Sequence, residues 1–106
     1  MKATGRYQEL VSTFSSAPNV VMPEQSRGFG SGALRVEGKI FAMLVRERLV
    51  VKLPKERVDD LVTAGVGVRF DAHKGRPMKE WFSLDPISDL DWALLAGEAL
   101  AFVSRT

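Results

Sequence analysis

Residues 32–53, GALRVEGKIFAMLVRERLVVKL, decide the fold. Ala33–Glu37 alternates, so Leu34 and Val36 share one face. Glu37-Gly38 is a hairpin turn signal, because glycine accepts positive φ. Lys39–Val45 is a near-continuous apolar run, the pattern of a central strand covered on one side and partly on the other. Arg46-Glu47-Arg48 turns the chain again. Leu49–Leu53 is then a third strand, with Lys52 as its clear polar residue. Three strands joined by two tight turns form the centre of an antiparallel sheet.

Upstream, residues 6–16 predict a helix. Tyr7, Leu10, Val11 and Phe14 recur at i, i+3, i+4 and i+7 and mark its buried stripe. Pro18 disfavours helix at the residue before it and ends the element. Residues 20–23 read as a short extended piece, and residues 24–31 as a polar, glycine-rich loop. Downstream, Pro54 opens a second helix where its missing N–H does no harm. Val58, Leu61 and Val62 face inward there; Lys55, Glu56, Arg57, Asp59 and Asp60 face water. Gly65 is suited to close it. Residues 66–70 predict a fourth strand and residues 71–77 a polar turn. Residues 78–84 predict a fifth strand, with Met78, Glu80 and Phe82 on one face and Lys79, Trp81 and Ser83 on the other. The last helix is expected to start at Asp85-Pro86, capped by Asp85 or Ser88. Its inward face carries Trp92, Leu95, Ala99 and Phe102, widened by Leu94 and Ala101. The expectation is a single α+β domain over residues 1–106. It is a two-layer sandwich, with an antiparallel sheet of about five strands and helices packed mainly on one face, in the order α-β-β-β-α-β-β-α.

Composition supports a globular chain: 106 residues, 45% hydrophobic and 26% charged. No apolar run approaches the ~18–20 residues of a membrane span. The opening residues lack the apolar stretch of a secretory signal. The chain has no cysteine. That removes disulfides, thiolate nucleophiles and cysteine-based zinc sites, and fits a cytoplasmic protein. The net charge of +2 hides an asymmetry. Residues 27–79 hold twelve Lys and Arg against six Asp and Glu, whereas residues 80–106 hold one Arg against five acids. A basic middle suits an anionic partner. It equally suits a solvated strand face guarded against edge pairing.

Few residues carry the marks of chemistry. His73, the only histidine, lies in the polar turn near Asp71, with no Gly-x-Ser-x-Gly elbow anywhere. It reads as an exposed histidine. Residues 28–32, Gly-Phe-Gly-Ser-Gly, resemble a phosphate loop only superficially, because no Gly-Lys-Ser/Thr follows and the next element is a strand. The acid pairs Asp59-Asp60 and Asp89 with Asp91 read as a wet helix face and a helix N-terminus. The most pointed stretch is residues 74–81, Lys-Gly-Arg-Pro-Met-Lys-Glu-Trp, which puts three cations beside an aromatic ring. That combination can meet nucleic-acid phosphates and bases; alternatively Trp81 packs into the core.

Four pieces together resemble the N-terminal domain of the TfoX/Sxy family: Phe29-Gly30-Ser31-Gly32, residues 36–42 (Val-Glu-Gly-Lys-Ile-Phe-Ala), the Leu49–Leu53 strand, and residues 75–81 (Gly-Arg-Pro-Met-Lys-Glu-Trp). The likeness covers residues 5–103, and the hairpin is also similar to the related YjbR/MmcQ family. The resemblance implies a bacterial two-layer α/β sandwich linked to control of natural competence, with no catalytic residue set. For YjbR-like relatives it implies DNA binding.

Two readings follow. The favoured one is a non-enzymatic regulatory binding module, without cofactor, metal or membrane attachment. Its partner is nucleic acid met by Arg46, Arg48, Lys52, Lys74, Arg76 and Lys79, or a protein met through an apolar sheet face, including a homodimer. The alternative is a small-ligand or enzymatic domain with a pocket between residues 28–32 and 71–77, using His73 and Arg76.

Overall fold

The computed structural model describes residues 3–17, 20–21, 33–70, 79–88 and 90–105. The sequence-predicted loop at residues 28–32 and turn at residues 71–77, with His73, Lys74 and Arg76, lie outside these. So do Met78 and Asp89.

Among the described residues, three helices and six strands follow in the order α1 (Ala3–Phe14), β1 (Val20–Val21), β2 (Leu34–Val36), β3 (Lys39–Val45), β4 (Arg48–Lys52), α2 (Lys55–Thr63), β5 (Gly67–Arg69), β6 (Trp81–Leu84) and α3 (Trp92–Ser104). The five expected strands are present. The extended piece after the first helix supplies two residues of edge strand as well. All pairings are antiparallel, in the spatial order β1-β2-β3-β4-β6-β5. β6 therefore lies between β4 and β5.

The two central hairpins turn as read, and both turns are left-handed at their two middle residues. Glu37 and Gly38 have φ of 53° and 81°, and Arg46 and Glu47 have φ of 51° and 65°. Paired positive φ is the turn whose twist matches that of the flanking strands. In the second turn both positions carry a Cβ, which disfavours this conformation by about 1–2 kcal/mol per residue.

β3 contains one extra residue. Leu34 pairs with Ala42, but Arg35 pairs with Ile40, so Phe41 has no partner across the ladder. This is a β-bulge. It turns Phe41 and Ala42 toward the same side, and both are fully buried there. Ile40 and Met43 point the other way. Phe41 meets Phe14 of α1 edge-to-face, with centroids 5.8 Å apart and planes at 70°.

The helix-side core joins Tyr7, Leu10 and Phe14 of α1 to Leu34, Val51 and Phe82 of the sheet and to Trp92, Leu95, Ala99 and Val103 of α3. α3 lies across β3 and β4, and α2 sits against β5 and β6. Burial raises the Tyr7 phenol well above its ordinary value, opposed by a hydrogen bond with the Leu34 backbone.

Local boundaries move where short-range hydrogen bonds compete with the helix. α1 ends at Phe14 because Ser15 closes back on the Ser12 carbonyl through both its N–H and its hydroxyl. α3 starts at Trp92, not at Asp85-Pro86. Asp85 accepts from the Ile87 N–H and Ser88 from the Leu90 N–H, so both expected caps stabilise turns. The cap is Asp91, which accepts from the Ala93 N–H at 2.8 Å. Leu94 and Ala101 do not widen the buried face. Leu94 is 57% exposed and Ala101 is exposed, because Trp92, Leu95, Ala96, Ala99 and Val103 already fill the contact with the sheet.

Ion pairs tie α2 to its neighbours. Arg57 donates to both carboxylate oxygens of Glu98 on α3, at 2.9 and 3.1 Å. Asp59 accepts from Lys55 on its own helix and from Arg69 on β5. These cations hold its carboxyl below the usual aspartate value.

Gly67 is required by packing: a methyl there would collide with the Ser83 carbonyl oxygen and the Phe82 ring. Replacing Gly67 with Ala is expected to cost about 1–3 kcal/mol in urea unfolding, the range of overpacked sites. Glu47→Gly is expected to raise stability by about 0.5–1 kcal/mol, since glycine adopts the positive φ without the Cβ clash. A neutral Gly67→Ala or a destabilising Glu47→Gly would contradict this backbone.

Candidate functional site

With the helices on one side, the opposite face of the sheet is built from every second residue of β4 and β6 and from what the bulge redirects in β3. Met43 pairs with Val50, Val50 with Ser83, and Ser83 with Val68, one row across four strands. Ala33, Met43, Val50 and Phe70 form a second, smaller buried cluster, with Ile40, Val45 and Trp81 half-buried against it. This face is apolar along its middle and basic at both ends.

At one end, Arg48 belongs to the sheet. Its Nε donates to the Ser83 hydroxyl at 2.9 Å and its second guanidinium nitrogen to the Ser83 carbonyl at 3.4 Å. Ser83 is buried, so the pair satisfies a polar group that water does not reach. Arg46 lies in the adjacent turn and, with Arg48, Val68 and Arg69, borders a depression there.

At the other end, Lys52 pairs across the ladder with Trp81, and its ammonium lies 5.9 Å from the ring centroid. That is within cation–π range. Lys52, Lys55, Lys79, Glu80 and Trp81 line one shallow depression. Lys55 is partly neutralised by Asp59 at 2.8 Å. Lys79 is exposed, as is Arg35 opposite Ile40 on β2. The register puts Arg35 at the same end of the sheet as Lys52.

The six residues expected to contact an anionic partner are thus divided. Lys52 and Lys79 come together around Trp81. Arg46 and Arg48 sit at the far end, and Arg48 is engaged with Ser83. Lys74 and Arg76 lie outside the described residues. Trp81 takes neither of its two expected roles completely: it is half-buried on the sheet face away from the helices, with part of its ring accessible. Lys55 was read only as part of a wet helix face. Its place in the depression depends on Pro54 turning α2 directly off the end of β4.

Elsewhere, Arg6 stacks on the Trp92 ring at 4.4 Å, and the indole N–H of Trp92 is buried without a hydrogen-bond partner among the described residues. A cleft between α1 and the start of α3 is lined there by Arg6, Glu9, Thr13 and Asp91. Among the described residues, no group of three or more His, Cys, Asp or Glu side chains converges as metal ligands would. Among them, too, no helix is long and apolar enough to cross a membrane. The chain matches no family model, no curated protein and no solved structure.

The two basic ends are expected to respond differently to substitution. Arg48→Met leaves buried Ser83 without its partner and should cost about 1–3 kcal/mol in urea unfolding. Lys52→Ala removes only a partly exposed cation–π contact and should cost about 0.5–1 kcal/mol. Equal costs would mean that Arg48 is as dispensable to the fold as Lys52.

Proposed function

We propose that this chain is a non-enzymatic regulatory binding module that takes a nucleic-acid strand on the sheet face away from the helices, at the partly accessible end where β4 and β6 pair. The observation that carries the reading is the Lys52–Trp81 contact, with Lys55 and Lys79 around the same depression. Ammonium groups attract phosphates, and an accessible indole offers a stacking surface that any base can use. Half-buried Ile40, packed on buried Met43 and Val50, adds apolar surface on the same face. The resemblance to the TfoX/Sxy N-terminal domain, and more softly to the YjbR/MmcQ family, supports a regulatory role, DNA as a partner and a bacterial cytoplasmic setting. Within this reading the domain needs no cofactor. Arg35 and Lys79 extend the contact; Arg48 serves the fold.

Fluorescence anisotropy with a labelled single-stranded 20-mer tests this. Affinity is expected to fall about tenfold between 50 and 200 mM salt, as two or three phosphate contacts require. Lys52→Glu with Lys79→Glu should weaken binding at least about tenfold, and Trp81→Ala by a similar factor, consistent with about 1–3 kcal/mol per stacked base. Absence of binding at low salt would overturn the proposal, as would binding insensitive to these substitutions.

A further inference from the structure

α3 is apolar almost all round: of its thirteen residues only Gly97, Glu98 and Ser104 are neither aliphatic nor aromatic. The sheet and α1 use one side of it. A helix apolar on every side is ordinarily covered on every side. Here the outer side is open. Leu94 is 57% exposed and Ala101, directly above it two turns on, is exposed too. Ala93, Gly97 and Leu100 flank them. The described residues give no packing reason for glycine at 97, because a methyl there would meet none of them within 4 Å. Yet glycine inside a helix disfavours folding by about 0.5–1 kcal/mol relative to alanine.

We propose that this face of α3 is the contact between two copies of the chain, packed antiparallel about Gly97. The charges at its ends select that partner. Asp91 caps the N-terminus and Arg105 follows the C-terminus; both are exposed. The midpoint of 91 and 105 is residue 98, and that of 94 and 101 falls between 97 and 98. An antiparallel copy centred there sets Leu94 against the second copy's Ala101, and Arg105 beside the second copy's Asp91. Each contact occurs twice, as a two-fold interface requires. Glu98, which lies between Leu94 and Ala101 on this face, is already neutralised by Arg57. Gly97 at the axis lets the helices approach at the close end of the usual ~8–10 Å. Parallel packing would instead place Arg105 on Arg105 and Asp91 on Asp91. Because the helix layer forms the contact, the sheet faces away from the helices point outward in both copies, and the inference stands independently of what those faces bind.

Light scattering after gel filtration is expected to give twice the 11.7 kDa chain mass. Leu94→Glu should raise the dimer dissociation constant at least about tenfold while leaving the helical circular dichroism unchanged, as loss of a central interface contact does. The chain has no cysteine, so single cysteines report geometry directly. Gly97→Cys should form an oxidised dimer. Ala101→Cys should not, because its copies are separated by about 10 Å along the axis. A monomer at all concentrations, a dimer unmoved by Leu94→Glu, or cross-linking at 101 in place of 97 would each overturn the proposal.

Discussion

The unpaired residue at Phe41 is the constraint on which the two faces of this sheet depend. An uninterrupted strand from Lys39 to Val45 would put Ile40, Ala42 and Leu44 on one side and Phe41, Met43 and Val45 on the other. That arrangement would send the Phe41 ring away from α1 and leave the helix layer without its central aromatic contact. The bulge lets the strand present Phe41 and Ala42 together to the helices and then resume its alternation. Ile40 takes the place on the far face that Phe41 gives up, beside Met43 and Val45. One extra residue thus builds the edge-to-face pair with Phe14 and brings Ile40 to the far face that carries Trp81.

The division of labour among the cations follows from the same geometry. β4 alternates Arg48, Val50 and Lys52 on the face away from the helices, so both charges project from one strand and differ only in what β6 sets beside them. Arg48 meets buried Ser83, whose hydroxyl and carbonyl together satisfy a planar donor set. Lys52 meets Trp81, whose ring attracts the ammonium without consuming its hydrogen-bond donors. A guanidinium held by two oxygens serves the fold. An ammonium resting on a ring keeps its donors for a ligand. Gly67 leaves the space that the Phe82 ring and the Ser83 carbonyl occupy in the middle of β6.

Much of this was legible in the chain. The two hairpin turns, the inward stripes of α1 and α2, and the division of Phe82 from Trp81 and Ser83 all follow from period and turn chemistry. The shared face of Arg48 and Lys52 was missed, because Arg48 was read as part of the turn and not as the first residue of β4. The bulge was not legible, because an apolar run reads the same with or without a shift of register. Nor was the insertion of β6 between β4 and β5, which brings Trp81 to Lys52: strand order is decided by packing across the sheet, and no local signal encodes it. The start of α3 was misplaced because Asp85, Ser88 and Asp91 all have capping chemistry within one short segment. The outer exposure of Leu94 escaped periodicity because a helix apolar on all sides has no stripe to read.

The central claim is that one face of the sheet belongs to the helices and the other, at its Lys52–Trp81 end, to a ligand. Amide and indole chemical-shift mapping with a short single-stranded oligonucleotide tests it most directly. The account predicts shifts at Arg35, Ile40, Lys52, Lys79 and the Trp81 indole, with the amides of α1 and the buried side of α3 unmoved. Shifts centred on the helix layer, or at Arg46 and Arg48 with Trp81 silent, would contradict it.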